Sequence, residues 1–283
     1  MSKLTEQVAD EAVPMLQAGE WVAPGYKVIG HLHRGHYLDI YDVWSQERAC
    51  RCIAKLLRPD RLTDRDSWNR LIREGRLLTR LSHPHLVRAL ETFEQPQPVL
   101  ILETLTGATL DYLIGEQGRL RLADIAILGS HLCSAMHYLH RQGWLHLDLK
   151  PTNIISACGI AKVIDLSLAH QPGRSRRVMG TRLYMAPEQV RRELLSEATD
   201  VWGIGGVLFE AATGQAPFED LDEGSDYPQT RGRAVSLRVH RRVPAALARA
   251  IDGCLEPDPA QRPSIDELSQ ILAGLFPSDH KES

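Results

Sequence analysis

The sequence predicts an α+β fold of two lobes, a small β-rich lobe with one main helix followed by a larger, mostly helical one. Three observations carry this. Up to about residue 103, short segments of β-branched, aromatic and cysteine residues alternate with turn residues. Within that half only Asp64 to Leu81 has helical spacing, with Trp68, Leu71, Ile72 and Leu78 on one face. Beyond it, apolar residues recur at the helical period instead.

In chain order, Tyr26 to Gly30, Leu38 to Trp44 and Cys50 to Leu57 are expected as strands, then the helix from Asp64. Strands are also expected at Leu86 to Glu94 and Val99 to Glu103. Ala18 to Gly25 reads as a lead-in to the first strand. In the second half, Leu122 to His140 sets Ile125, Leu128, Leu132, Ala135 and Leu139 in one stripe. Glu197 to Thr213 is almost wholly apolar after Asp200 and should be a buried central helix. Val243 to Cys254, entered through Pro244, and Ile265 to Phe276 complete the helices. A β-type pair is expected at Asn153 to Ser156 and Ile160 to Ile164. The implied boundaries are an extension at 1–20, a first lobe at 21–105, a second at 106–278 and a tail at 279–283. Clefts between lobes are where ligands sit, so the chemistry is expected at the junction.

The 283 residues suffice for a substantial core. A net charge of -3 gives no global pull toward nucleic acid or anionic membrane. An acidic stretch lies at Glu219 to Asp226 and a basic run at Arg174 to Arg177. No apolar run approaches the ~20 residues of a membrane span, and the acid-bearing first residues do not read as a secretory signal. With so short a tail, no tether is expected. Five widely spaced cysteines do not suggest a disulfide framework, which favours a reducing, cytoplasmic setting. Cys50 and Cys52 lack further metal ligands and are expected as small buried side chains on one strand face.

The run His146-Leu-Asp-Leu-Lys-Pro-Thr-Asn153 carries the chemistry. A carboxylate at Asp148 can orient an acceptor hydroxyl and take its proton. Lys150 can neutralise a travelling phosphoryl group, and the Asn153 carbonyl can ligate Mg²⁺. Asp165, after the β-type pair, offers a second carboxylate for that metal. Either motif alone is more often a solvated loop. Together, in this order, they point to phosphoryl transfer.

These residues and those around them resemble the eukaryotic-type (Hanks-type) Ser/Thr protein kinase domain, bacterial members included, over about Tyr26 to Phe276. Cys52-Ile-Ala-Lys55 resembles the VAIK strand, and Glu74 is placed like the helix glutamate that pairs with its lysine. Leu81-Ser-His-Pro-His-Leu-Val87 is similar to the family's LxHPxIV link. Leu100-Ile-Leu-Glu103 resembles the strand entering the hinge, which implies Leu102 as gatekeeper and the backbone of Glu103 and Leu105 at the adenine edge. Leu32, Gly35, Ile40, Ile53 and Ile155 complete the implied nucleotide contacts. Gly180-Thr-Arg-Leu-Tyr-Met-Ala-Pro-Glu188 is similar to GTxxYxAPE, with Gly180 and Thr181 docking substrate. Asp200 resembles the buried aspartate opening the central helix, and Arg262 the arginine that pairs with Glu188. Lys150 and Thr181 resemble Ser/Thr rather than Tyr kinases.

The sequence departs from the family pattern at named places. The glycine-rich loop keeps only Gly35, with His33 and Leu38 in place of its flanking glycines. Ile53 stands where the family has a small alanine over the adenine, and Leu166 and Ser167 replace Phe and Gly of DFG. Leu147 replaces the arginine that reads an activation-loop phosphate, and Gly75 should loosen the helix carrying Glu74. Ser175 is the candidate phosphosite. The resemblance implies ATP and Mg²⁺ (or Mn²⁺), a protein substrate with a Ser/Thr acceptor, and a transient homodimer for autophosphorylation. The alternative is a pseudokinase, a nucleotide-binding or scaffold module on the same fold, for which His33, Leu38, Ile53 and Ser167 argue.

Overall fold

The computed structural model describes residues 13–219 and 226–275. Most of the N-terminal extension, the middle of the acidic stretch and the C-terminal tail lie outside the described residues. The described residues form two compact units, one of 13–82 and Val87–Leu105, the other of His83–Leu86 and the described residues from Thr106 onward. Among the described residues, no helix is long and apolar enough to cross a membrane.

The first unit is a six-stranded antiparallel sheet in the order β1-β2-β3-β4-β6-β5. Its strands are β1 (Trp21–Ala23), β2 (Tyr26–Arg34), β3 (Leu38–Ser45), β4 (Cys50–Leu57), β5 (Ala89–Phe93) and β6 (Val99–Glu103). Alternation along each strand sends successive side chains to opposite faces. Tyr26, Val28, Tyr41, Val43, Cys52, Ala54 and Ile101 form the core of one face. The cross-strand row Ile40, Lys55, Leu100 and the pair Ile53, Leu102 belong to the other. The two cysteines of β4 part company, with Cys52 buried and Cys50 exposed, so only one fits the expected buried role. The segment before Tyr26 is itself a strand, β1, against β2.

β2 runs four residues beyond its expected end because its far end is clamped. The Arg34 guanidinium forks onto both oxygens of the buried Asp39 at 2.8 Å each, on the facing strand. Helix α1 (Arg65–Leu78) starts at Asp64, whose side chain accepts from the backbone N–H groups of Asp66 and Ser67. Gly75 has a reason beyond loosening this helix. A Cβ there would stand 2.7 Å from both Cγ2 and Oγ1 of Thr92 on β5, so glycine lets helix and sheet approach.

The second unit contains β7 (Ala108–Thr109), β8 (Ile154–Ala157) and β9 (Ile160–Val163) in one small sheet, and β10 (Gly173–Arg174) paired with β11 (Leu194–Leu195). Its helices are α2 (Leu110–Gln117), α3 (Leu122–Arg141), α4 (Pro187–Arg191), α5 (Glu197–Thr213), α6 (Leu237–His240), α7 (Ala245–Cys254) and α8 (Ile265–Ala273). Every residue of α5 from Thr199 to Ala212 is buried, as its apolar composition requires. α3 packs on α5 and α8, and α7 packs on α5.

β5 starts three residues later than expected. Leu86 bridges Val163, and His85 accepts from the Val163 N–H, so this stretch pairs with β9 instead. The imidazole of His85 meets the Ala161 carbonyl at 2.9 Å and stacks on His131 with centroids 4.0 Å apart. The Ala161 N–H donates to His131 Nδ1.

Two outcomes test this packing. Gly75→Ala should destabilise by ~1–3 kcal/mol despite alanine's better helix propensity, and Thr92→Ala in the same chain should recover most of it. Urea midpoints read both, and a stable Gly75→Ala single variant sinks the close-approach argument. Burial, then neighbouring His85, lower the His131 pKa from 6.5 to about 4. An unfolded chain binds a proton there that the folded chain refuses, so this contribution is full above pH ~6.5 and fades as pH falls toward 4. Solvent screening keeps the slope below ~1.4 kcal/mol per pH unit. His131→Gln should flatten that part of the stability–pH curve; parallel curves would exclude it.

Candidate active site

In the second unit the site is built on the loop between α3 and β8, and the start of α5 holds it. Asp200, one turn into α5, accepts from the backbone N–H of His146 through Oδ2 and of Leu147 through Oδ1, both at 2.8 Å. His140, at the end of α3, donates from Nε2 to the same carboxylate at 2.7 Å. Burial raises the Asp200 pKa, but the His140 hydrogen bond, its charge and the His146 contacts outweigh it and hold the group below its ordinary value. The carboxylate is thereby kept ionised at the place where Leu147 takes a left-handed φ of 67°. Such a backbone costs a non-glycine residue on the order of 1–2 kcal/mol, and the surrounding bonds must hold it.

Asp148 follows directly. Its Oδ1 accepts from the Thr181 hydroxyl at 2.7 Å, and its Oδ2 lies 2.9 Å from Lys150 Nζ. Lys150 Nζ also donates to Thr181 Oγ1 at 2.6 Å. Asn153 Nδ2 donates to the Asp148 carbonyl at 3.0 Å and to Oδ2 at 3.2 Å, which turns its own Oδ1 away. Asp165 follows β9 and accepts from the Ser167 N–H at 2.8 Å, while the Asn153 carbonyl accepts from the Ile164 N–H. Asp148, Lys150, Asn153 and Thr181 thus share one hydrogen-bonded group. Leu166 is buried, as an apolar socket requires. His146 is fully buried and burial lowers its pKa, so its ring is neutral and accepts the Asp148 N–H at Nδ1.

Helix α4 carries the end of the Gly180–Glu188 segment. Glu188 and Arg262 form a two-pronged buried ion pair at 2.7 and 2.8 Å, and the guanidinium lies over the Trp202 ring. The Tyr184 hydroxyl donates to Glu210 on α5. Ser175 is only 9% exposed; its hydroxyl donates to the Arg177 carbonyl and accepts from the Arg177 N–H. Phosphorylation of Ser175 therefore requires that turn to open.

In the first unit, Lys55 Nζ donates to both oxygens of Glu74 at 2.7 and 2.9 Å, both side chains buried. Ile40, Ile53 and Leu102 share its sheet face. Leu32 is exposed, and the Glu103 N–H is committed to the Arg88 carbonyl. The hairpin Leu32–Ile40 contains no left-handed residue, so His33 and Leu38 incur none of the strain that glycine relieves. Side chains close it instead. Arg58 reaches the Gly35 carbonyl at 3.2 Å, its N–H donates to the Tyr37 carbonyl, and Arg34 grips Asp39. Ile155 on β8 belongs to the second unit, against Thr109 of β7.

Sequence reasoning missed Gln189, His140, Arg34, Asp39 and Arg58. Asp39 left a signal, an acid near the start of a strand with Arg34 five residues before it. Gln189 left none.

The protein kinase domain family matches residues 26–272. The chain belongs to that family. It is 30% identical to the probable serine/threonine-protein kinase PknB of Lactococcus lactis, over 72% of this chain and 34% of the relative. It is likewise 30% identical to the serine/threonine-protein kinase PkaA of Streptomyces coelicolor, over 77% of this chain and 42% of the relative. To the serine/threonine-protein kinase AtPK1/AtPK6 of Arabidopsis thaliana it is 31% identical, over 68% and 42%. The matches therefore span about a third to two fifths of these relatives.

Asp200→Asn replaces an acceptor of three bonds by a group with one acceptor oxygen and two donors. The variant should lose ~3 kcal/mol of stability. Its stability should also lack the acid-side loss that the wild type shows as pH falls through the depressed Asp200 pKa. Chemical denaturation across pH 3–7 measures both; an unchanged midpoint at pH 7 refutes the anchoring role.

Proposed function

We propose that this chain transfers the γ-phosphoryl group of ATP to Ser or Thr hydroxyls of protein substrates, its own copies included through a transient homodimer. The observation that carries this reading is the Thr181 hydroxyl donating to Asp148 Oδ1 while Lys150 Nζ donates to that hydroxyl's own oxygen. An aliphatic hydroxyl already sits at the carboxylate in the pose a general base demands, with a cation beside it.

In this reading an acceptor hydroxyl donates to Asp148, which orients it and takes its proton as its oxygen bonds the γ-phosphorus and the bond from that phosphorus to the β,γ-bridging oxygen breaks, releasing ADP. Lys150 balances the charge on the phosphoryl oxygens. Lys55, fixed by Glu74, holds the nucleotide phosphates, and the apolar face with Ile40, Ile53 and Leu102 takes the adenine ring, beside Leu32, Gly35, Glu103 and Leu105. Asn153 Oδ1, turned away from Asp148, and the Asp165 carboxylate are oxygen donors suited to a hard cation. When bound there, Mg²⁺ or Mn²⁺ supplies charge neutralisation on the phosphate oxygens. Transfer of this kind depends mainly on positioning and charge, so the intact polar group weighs more than the altered loop.

The purified chain, given labelled ATP and Mg²⁺, should label itself and a basic protein substrate. Asp148→Asn should lower transfer at least ~100-fold, and Lys55→Met comparably. Label that does not depend on Asp148, with no thermal shift on adding ATP and Mg²⁺, would sink the reading.

A further inference from the structure

Leu147 lies between two anchors, of which only one comes from helix α5. Asp200 takes its N–H. Its carbonyl accepts from Gln189 Nε2 at 2.9 Å, and the same nitrogen donates at 2.9 Å to the carbonyl of Met179. The Ala186 N–H donates to Gln189 Oε1 at 2.8 Å, which fixes which end of the amide faces the two carbonyls. The Gln189 side chain is buried, with both its nitrogen and its oxygen engaged. A buried amide whose every donor is spent on backbone carbonyls holds its partners in one register.

The two carbonyls belong to the segments that must meet for transfer. Leu147 immediately precedes Asp148, and Met179 stands two residues before Thr181. Between them Gly180 adopts φ +130°, where a Cβ would stand 2.5 Å from Met185 Cγ and 3.2 Å from both Gln189 Nε2 and the Leu147 carbonyl. The Met179 side chain packs on the buried cluster Leu145, Leu147 and Leu195. β10 adds a third tie, Gly173 and Arg174 pairing with Leu195 and Leu194. All of these contacts are neutral.

We propose that Gln189 is a positioning residue. It latches the segment through Met179 onto the catalytic loop at Leu147, so that Thr181 and Asp148 align with no phosphate on the segment. Leu147, an apolar residue, joins the latch through its carbonyl and its side chain. The proposal rests on the transferase reading for its kinetic consequence, but the latch itself is measurable without turnover.

The full chain carrying Asp148→Asn, treated with phosphatase, is digested with trypsin, which cuts after Arg174, Arg176 and Arg177. Adding Gln189→Glu, of equal size but with no amide donor, should speed those cuts at least tenfold while cuts elsewhere stay unchanged. In the Asp148-containing protein, Gln189→Glu should lower kcat for a protein substrate at least tenfold and leave the KM for ATP within twofold. Should Gln189→Glu not fold, Gln189→Met is read the same way. Equal cutting rates with and without the amide overturn the latch. So does phosphatase treatment of the otherwise unaltered chain that speeds cutting or removes activity tenfold, or a kcat loss matched by an equal rise in the KM for ATP. If no sample shows Asp148-dependent transfer, the transferase reading falls, while the digestion still decides the latch.

Discussion

The second unit depends on one buried carboxylate. Asp200 takes two successive backbone N–H groups and an imidazole N–H within hydrogen-bond distance. Burying a charge is costly unless it is paired and hydrogen-bonded, and here three donors meet that demand. In return a left-handed, non-glycine backbone persists at Leu147. Without that bend the chain could not present Asp148, Lys150 and Asn153 to one point from a single short loop. The wholly buried α5 is the rigid base that makes such an anchor effective, since its neighbours α3 and α7 leave it no room to shift.

The first unit solves a similar problem with ion pairs inside a sheet. Lys55 and Asp39 are both buried charges on strands, and each is met by an oppositely charged partner in a two-pronged contact. Glu74 can reach Lys55 because Gly75 lets α1 lie close to β5 at Thr92. The glycine that looked like a weakness of the helix is therefore a condition of the pair. In the hairpin the logic is reversed. Where glycines are absent, the backbone keeps ordinary angles, and Arg34 and Arg58 supply restraint through side chains.

Much of this was legible because it is written in contiguous chemistry. The run from His146 to Asn153 could be read as one cluster because its carboxylate, amine and amide stand close together in the chain, and the structure gathers them around Asp148. α5 could be read from composition, and β4 and β6 from their bounds in turn residues. The short elements could not. β7, β10 and β11 have two residues each and exist through their partners. Leu86 carried a strand pattern yet pairs with Val163, a choice set by tertiary contact rather than propensity. Gln189 is the sharpest case. Its partners are backbone carbonyls, 42 and 10 residues away, and a carbonyl has no residue type by which a sequence could announce it.

This difference bears on how the loop is held together. A charged tether between segments is conditional, because it appears only when a phosphate is added and weakens when screened. An amide bonded to two carbonyls is neutral and buried, and salt or phosphatase does not reach it. With Leu147 apolar, a phosphate on the segment would meet no arginine at that position. Ser175, turned inward onto Arg177, is consistent with a segment already seated. The apolar cluster and the Gln189 amide thus favour the same arrangement, and each makes the other cheaper to maintain: the leucines exclude water from the two carbonyls, and the amide leaves neither carbonyl unpaired in the dry space they create.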